Sequence, residues 1–138
     1  MADTIGLIAG GTGLTPCLQI IEQALRDPED KTRFSMLYAN VEHEEILLKD
    51  RLDALAAQHP DRFRVRYYLN VAPPSWDGGV GFVTKDAIDT HLPKSSERNR
   101  LLMCGPPPMI NAMKSHISEL SFPAPGPISK EHDPVFVF

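Results

Sequence analysis

Residues 5–16 read IGLIAGGTGLTP, a short apolar run that leads into a turn holding three glycines. The apolar run is typical of a buried strand, and apolar residues recur at helical spacing from Leu14 to Leu25. Glycines between a strand and a helix let the backbone turn tightly and approach a ligand closely. Thr15 is predicted to be the N-cap of the helix and Pro16 its first residue.

A strand–turn–helix of this kind indicates an anion site. Free N–H groups at the helix start face a phosphate, and the helix dipole assists. The spacing Gly11-x-Gly13-x-x-Pro16 lacks the third glycine of the Rossmann fingerprint, and the Gly-Lys-Ser/Thr of a P-loop is absent from the sequence. On this motif alone, a structural β–α turn without a ligand remains open.

A second turn, CGPPPM at residues 104–109, follows another apolar run. Three prolines fix the backbone and remove donors, so a stiff loop with a flat apolar wall is predicted, padded by Met109. If both strands are parallel, this loop lies at the same sheet edge as the first. Spacing leaves two interpretations of Cys104 open: a small buried residue, or a sulfur beside a reactive ring.

Strand and helix patterns alternate along the whole chain, and parallel neighbours need crossovers of helix length. The pattern predicts an α/β, three-layer, Rossmann-like domain over residues 1–138. Its sheet is expected to be five-stranded and mostly parallel, with a ligand beyond the carboxyl ends of the strands. The predicted strands lie at 5–9, 34–39, 63–69, 101–104 and 135–138, and the predicted loops at 72–81 and 122–134.

Composition narrows the function class. The 138 residues are 42 % hydrophobic and 23 % charged with a formal charge of -4, which is ordinary for a soluble domain and argues against nucleic acid. Two distant cysteines suit a reducing compartment, and no Cys-x-x-Cys or His-x-x-x-His spacing indicates a metal site. No apolar stretch nears the ~20 residues of a membrane span, and no signal peptide is evident. The abrupt start leaves open whether the sequence is a natural chain or a piece of a longer one.

Together, residues 9–16 (AGGTGLTP) and 104–110 (CGPPPMI) resemble the two nucleotide motifs of NADH–cytochrome b5 reductases and of eukaryotic nitrate reductases. The connecting segments 37–40 (LYAN) and 76–83 (WDGGVGFV) and the ending 135–138 (VFVF) are similar to the family in the same order. The likeness covers nearly the whole chain. It implies a ferredoxin reductase-type NAD-binding lobe that holds NADH for hydride transfer to FAD.

The resemblance also implies roles for individual residues. The glycine turn would lie along the pyrophosphate, Asn40 near the adenosine and Gly105 to Met109 along the nucleotide. Cys104 and Thr15 would stand at the nicotinamide–flavin contact, where Cys104 positions and tunes without covalent attack. The implied cofactor-binding residues are Gly10, Gly11, Thr12, Gly13, Thr15, Pro16, Asn40, Asn70, Gly105, Pro106, Pro107 and Met109.

Two departures from the family are visible. Many relatives carry Asp where this chain has Asn70, and a neutral side chain there would not repel the 2′-phosphate of NADPH. NADH is still expected, since no arginine cluster is evident. The β-barrel lobe that holds FAD in the family has no counterpart in the sequence, so FAD is expected on a partner lobe.

The resemblance implies a haem protein such as cytochrome b5 as electron acceptor, and an intracellular location in or facing the cytoplasm. Anchoring of the parent at the endoplasmic reticulum or mitochondrial outer membrane is left open. Two alternatives also stay open. One is the reductase lobe of a nitrate reductase or of an NADPH-using ferredoxin-type reductase. The other is a stand-alone nucleotide-binding or protein-docking module without activity.

Overall fold

A computed structural model describes residues 3–96, 98–120, 122–123 and 134–138 of the chain, except for the side chain of Thr12. The strands of this part of the chain form one sheet in which every neighbouring pair is parallel, in the order β4-β3-β2-β1-β5-β6 when numbered along the chain. They are β1 (Thr4–Gly10), β2 (Arg33–Glu42), β3 (Phe63–Val71), β4 (Gly79–Val80), β5 (Asn99–Cys104) and β6 (Val135–Val137).

Side chains of a strand alternate between the two faces of a sheet, so buried strands present apolar side chains on both faces. Helices cover both of these faces. Along β1, Leu7 and Ala9 enter one apolar core and Ile8 enters the other. The first core is closed by α1 and α2, and the second by α3 and α4. The predicted three-layer α/β arrangement is therefore confirmed. The helices are α1 (Leu14–Arg26), α2 (Lys49–Gln58), α3 (Lys85–His91) and α4 (Pro107–Glu119).

The order of the strands places a crevice beside β1. From β1 the chain builds outward through β2 and β3 to β4, then returns to lay β5 on the opposite side of β1. The helices that follow β1 and β5 pack on opposite faces of the sheet. Loops that leave adjacent strands in opposite directions open a crevice at their carboxyl ends, where ligands of parallel sheets bind.

The predicted strand number of five was wrong by one. The additional strand, β4, has only two residues and lies inside the predicted loop at 72–81. It fits because Gly79 has no side chain: a Cβ there would stand 2.2 Å from the Tyr68 ring. Trp76 fixes the loop by donating its indole N–H to the Gly79 carbonyl oxygen at 3.1 Å. The predicted loop at 122–134 lies almost entirely outside the described residues.

The predicted start of α1 was also wrong. A 3₁₀ turn over Gly11–Gly13 winds directly into the helix, so α1 begins at Leu14 with Gly13 as its N-cap and no side-chain cap bond. Thr15 and Pro16 therefore lie within the first turn. Proline is tolerated there because the first N–H groups of a helix have no partner inside the helix.

Cys17 gives the fold an expected alkaline sensitivity. Its side chain is fully buried on α1, and burial, with a smaller effect of nearby Cys104, raises the pKa of the thiol from 9.0 to about 12. A thiol whose pKa is higher in the folded protein stabilises the fold below pH 9, and this contribution is lost as the pH rises above it. From pH 8 to pH 10, we expect Cys17 to remove about 1.4 kcal/mol of the free energy of unfolding.

Urea unfolding of the wild type and Cys17→Ala at pH 7, 8, 9 and 10 measures this loss. The variant should be less stable at pH 8 because it leaves a small cavity, but its stability should fall less steeply with pH. Between pH 7 and pH 8 the two proteins should change in parallel, which serves as the control. Equal slopes up to pH 10 would show that the Cys17 thiol ionises as readily in the fold as in the unfolded chain.

Candidate functional site

A cleft of about 550 Å³ opens at the carboxyl ends of β1, β2 and β3, within the size range of nucleotide and other ligand sites. Its walls come from the turn after β1, the end of β2, residue 70 of β3, the segment before α3, and α4. Its lining residues are Gly10, Gly11, Ala39, Asn40, Val41, Glu45, Asn70, Phe82, Val83, Pro106, Pro108, Met109, Ala112, Met113 and His116.

Each glycine of the first turn is required for a different structural reason. A Cβ on Gly13 would stand 2.3 Å from the carbonyl oxygen of Cys104, so this glycine lets the two predicted loops touch. A Cβ on Gly10 would stand 2.3 Å from the sulfur of Met109. Gly11 has a φ of +54° and nothing within 4 Å of its Cβ position, so it leaves the cleft floor open. The turn is therefore a backbone cradle with free space above it.

The second turn is shorter than predicted because two of its prolines belong to α4. Pro106 is the N-cap, and Pro107 and Pro108 are the first two helical residues. They remove two of the N–H groups that a helix start would offer to an anion, so α4 is a poor phosphate site. Pro106, Pro108 and Met109 instead form an apolar wall of the cleft, which is the kind of surface predicted for this loop.

Asn40 is the buried polar side chain of the cleft. It is 8 % exposed, and its Nδ2 has no hydrogen-bond partner among the described residues. A buried donor without a partner is unfavourable by about 1–3 kcal/mol, so an acceptor entering the cleft would relieve that penalty. The amide lies near the Tyr38 hydroxyl, but the contact does not meet the geometry of a hydrogen bond. Burial raises the pKa of Tyr38, and the interactions with Asn40 and Leu47 partly offset that rise.

Tyr38 connects two parts of the cleft rim. Its hydroxyl lies 3.4 Å from the carbonyl oxygens of Gly11 and Leu47 and accepts the N–H of Leu47 at 3.2 Å. The ring itself is fully buried in the core. The turn after β1 and the segment after β2 are therefore held in one geometry by one side chain.

The two predicted catalytic residues lie beside the cleft and do not line it. Cys104 ends β5 next to Ala9 of β1, is half-buried, and has its carbonyl against Gly13. Burial raises the pKa of its thiol, so Cys104 is protonated at neutral pH and is not a nucleophilic thiolate. Thr15 is exposed in the first turn of α1. Their implied roles concern the flavin side and remain predictions.

Six of the predicted cofactor-binding residues line the cleft: Gly10, Gly11, Asn40, Asn70, Pro106 and Met109. Gly13 and Gly105 lie behind it in the contact between the two turns. Pro16 and Pro107 lie in the first turns of α1 and α4. Thr12 has no described side chain.

Sequence reasoning missed Glu45, Phe82 and His116, which also line the cleft. Glu45 lies in a charged segment of the sequence, and none of its neighbours marks it as part of a site. His116 lies two turns into α4 on the same face as Met109 and Met113, and this helical spacing was a usable signal. Phe82 is 79 % exposed, which no periodicity indicates.

In the part of the chain that the structure describes, no group of three or more His, Cys, Asp or Glu lies close enough together to hold a metal ion. No helix among these residues is long and apolar enough to cross a bilayer.

The comparisons agree with this geometry. A family profile described as the oxidoreductase NAD-binding domain matches residues 7–115. The NADH-cytochrome b5 reductase 1 of Mycosarcoma maydis is 58 % identical over 97 % of this chain and 41 % of the relative. That of Candida albicans is 55 % identical over 100 % of this chain and 47 % of the relative. The cytochrome b5 reductase domain of Ulva prolifera nitrate reductase superposes with a TM-score of 0.89 at 33 % identity, covering 99 % of this chain and 50 % of that one.

The chain spans about half the length of the curated relatives that it matches. The profile covers the glycine turn, the cleft residues of β2 and β3, and the start of α4. The chain belongs to the oxidoreductase NAD-binding domain family.

Proposed function

We propose that residues 1–138 form one lobe that binds NADH and positions it for hydride transfer to FAD in a cytochrome b5 reductase-type flavoenzyme. One observation carries the proposal. The cleft at the strand ends combines an open glycine cradle at Gly11 with a buried amide at Asn40, whose Nδ2 has no partner among the described residues. A dinucleotide needs both, a backbone that its pyrophosphate can approach and a donor for its polar groups.

Different residues of the chain contact different parts of NADH. The turn after β1 meets the pyrophosphate, Asn40 donates its amide N–H, and the wall of Pro106, Pro108 and Met109 excludes water. Cys104, with its protonated thiol, positions the nicotinamide end. FAD held by a partner lobe would supply the hydride acceptor and the route of electrons to a haem protein such as cytochrome b5.

The names of the relatives support the choice of parent. The two fungal relatives described above are NADH-cytochrome b5 reductases at 58 % and 55 % identity, against 33 % for the nitrate reductase domain. The proposal places the lobe inside the cell, in or facing the cytoplasm. It holds whether or not the parent is anchored at the endoplasmic reticulum or the mitochondrial outer membrane.

Calorimetric titration of the chain with NADH tests the binding step. We expect saturable binding at one site, and a loss of about tenfold in affinity in Gly11→Val, because the added side chain would occupy the open space above the turn. Gln19→Ala, an exposed change on α1 outside the cleft, is the matched control and should bind like the wild type. Absence of NADH binding to the wild-type chain would overturn the proposed function.

A chimera tests the catalytic context. Replacing the matching part of the Mycosarcoma maydis reductase with this chain should preserve NADH-dependent reduction of ferricyanide. A chimera that binds NADH and FAD but transfers no electrons would favour a nucleotide-binding module without activity.

A further inference from the structure

The cleft carries very little charge. Among its lining residues, within the part of the chain that the structure describes, Glu45 alone has a charged carboxylate, and neither lysine nor arginine contributes. His116 is the other titratable side chain in the lining, and Asn40 and Asn70 are neutral. An anionic ligand group near Glu45 would therefore meet a negative charge, with no permanent cation among the described lining residues to compensate it.

Glu45 is held at its place by backbone structure. It ends a 3₁₀ turn over His43–Glu45 that begins directly after β2. The Ile46 N–H closes that turn onto the His43 carbonyl at 3.2 Å, and the Leu47 N–H donates to the buried Tyr38 hydroxyl. Because Tyr38 also contacts the Gly11 carbonyl, the position of Glu45 is tied to the glycine turn.

The topology assigns one half of the dinucleotide to this region. A pyrophosphate over the turn after β1 leaves one nucleoside over β5 and the other over β2 and β3. Cys104 marks the β5 side, where the nicotinamide is placed in the proposed function. The adenosine then lies over β2 and β3, where Asn40, Asn70 and Glu45 line the cleft.

We propose that Glu45 is the residue that makes this lobe discriminate against NADPH; this rests on the proposed function and deepens it. NADPH differs from NADH by a phosphate on the 2′-oxygen of the adenosine ribose. A carboxylate accepts a hydrogen bond from a free 2′-hydroxyl but repels a 2′-phosphate. Glu45 thus supplies the negative charge that Asn70 does not.

The test measures the ratio of the dissociation constants of NADPH and NADH by calorimetry. Glu45→Gln keeps the shape of the side chain and an accepting oxygen but removes its charge. In this variant the ratio should fall about fivefold, because one charge is lost several ångströms from a phosphate in a solvent-exposed cleft. Glu44→Gln is the matched control. Glu44 is exposed in the same 3₁₀ turn, loses the same charge and does not line the cleft, so its ratio should stay at the wild-type value.

Salt separates an electrostatic role from a purely structural one. Raising the salt concentration from 0.05 M to about 0.5 M should narrow the wild-type preference for NADH and change that of Glu45→Gln much less. If NADH binds and the ratio is unchanged in Glu45→Gln, or falls equally in Glu44→Gln, the inference about Glu45 is wrong while the proposed function stands. If the wild-type chain binds neither nucleotide, the proposed function itself fails.

Discussion

Gly13→Ala is expected to lower the free energy of unfolding by about 3 kcal/mol or more, a large share of a domain's stability. The added Cβ would stand 2.3 Å from the Cys104 carbonyl oxygen and 2.6 Å from its carbon, and both atoms belong to the backbone at the end of β5. Backbone inside a parallel sheet cannot move aside as a side chain can. The turn after β1 and the start of α4 must therefore separate, which should also weaken NADH binding.

Urea unfolding and calorimetry of the same samples measure both effects. Gly11→Ala is the control in the same turn: it has a positive φ but open space, so about 1 kcal/mol of backbone strain is expected and no steric clash. Gly10→Ala should be intermediate, because the atom it meets is the flexible Met109 sulfur, and Met109→Ala should relieve the clash. If Gly13→Ala lowered the free energy of unfolding no more than Gly11→Ala does, the two turns would not be in the contact described.

Most of the fold was predictable because its physical causes are local. Apolar runs and helical spacing report burial directly, and each predicted strand appears near its predicted place. The errors at β4 and at the start of α1 have one origin, since they fall where backbone geometry and not apolar pattern decides the structure. A two-residue strand such as β4 is too short to show a period. The start of α1 depends on a 3₁₀ turn that favours no particular side chain at Thr15.

The candidate site was predictable where it is made of backbone and less so where it is made of side chains. Glycine and proline restrict the chain, so the two turns stood out in the sequence. Glu45 and Phe82 reach the cleft only because β2, β3 and the segment before α3 end at the same edge. That meeting depends on strand order, which the pattern of a single sequence does not specify.

Asn40→Ala is expected to weaken NADH binding by about 30-fold, roughly 2 kcal/mol, while leaving the free energy of unfolding nearly unchanged. A buried amide normally contributes to stability through its partners, and its removal destabilises the fold. The Asn40 Nδ2 has no partner within the described residues, so the variant loses a little packing and also removes an unfavourable buried donor. The two effects should cancel to within about 1 kcal/mol.

Asn70→Ala is the matched control, since it removes the same side chain from the same cleft at an exposed position. Water can replace an exposed amide, so we expect an affinity loss of threefold or less, about 0.6 kcal/mol. A strong loss of stability in Asn40→Ala would mean that the amide already has a partner in the free protein. Equal affinity losses in the two variants would mean that burial does not set the strength of this contact. A large loss in Asn40→Ala alone, at unchanged stability, would identify an amide held without a partner in the free protein so that it can bind one in the nucleotide.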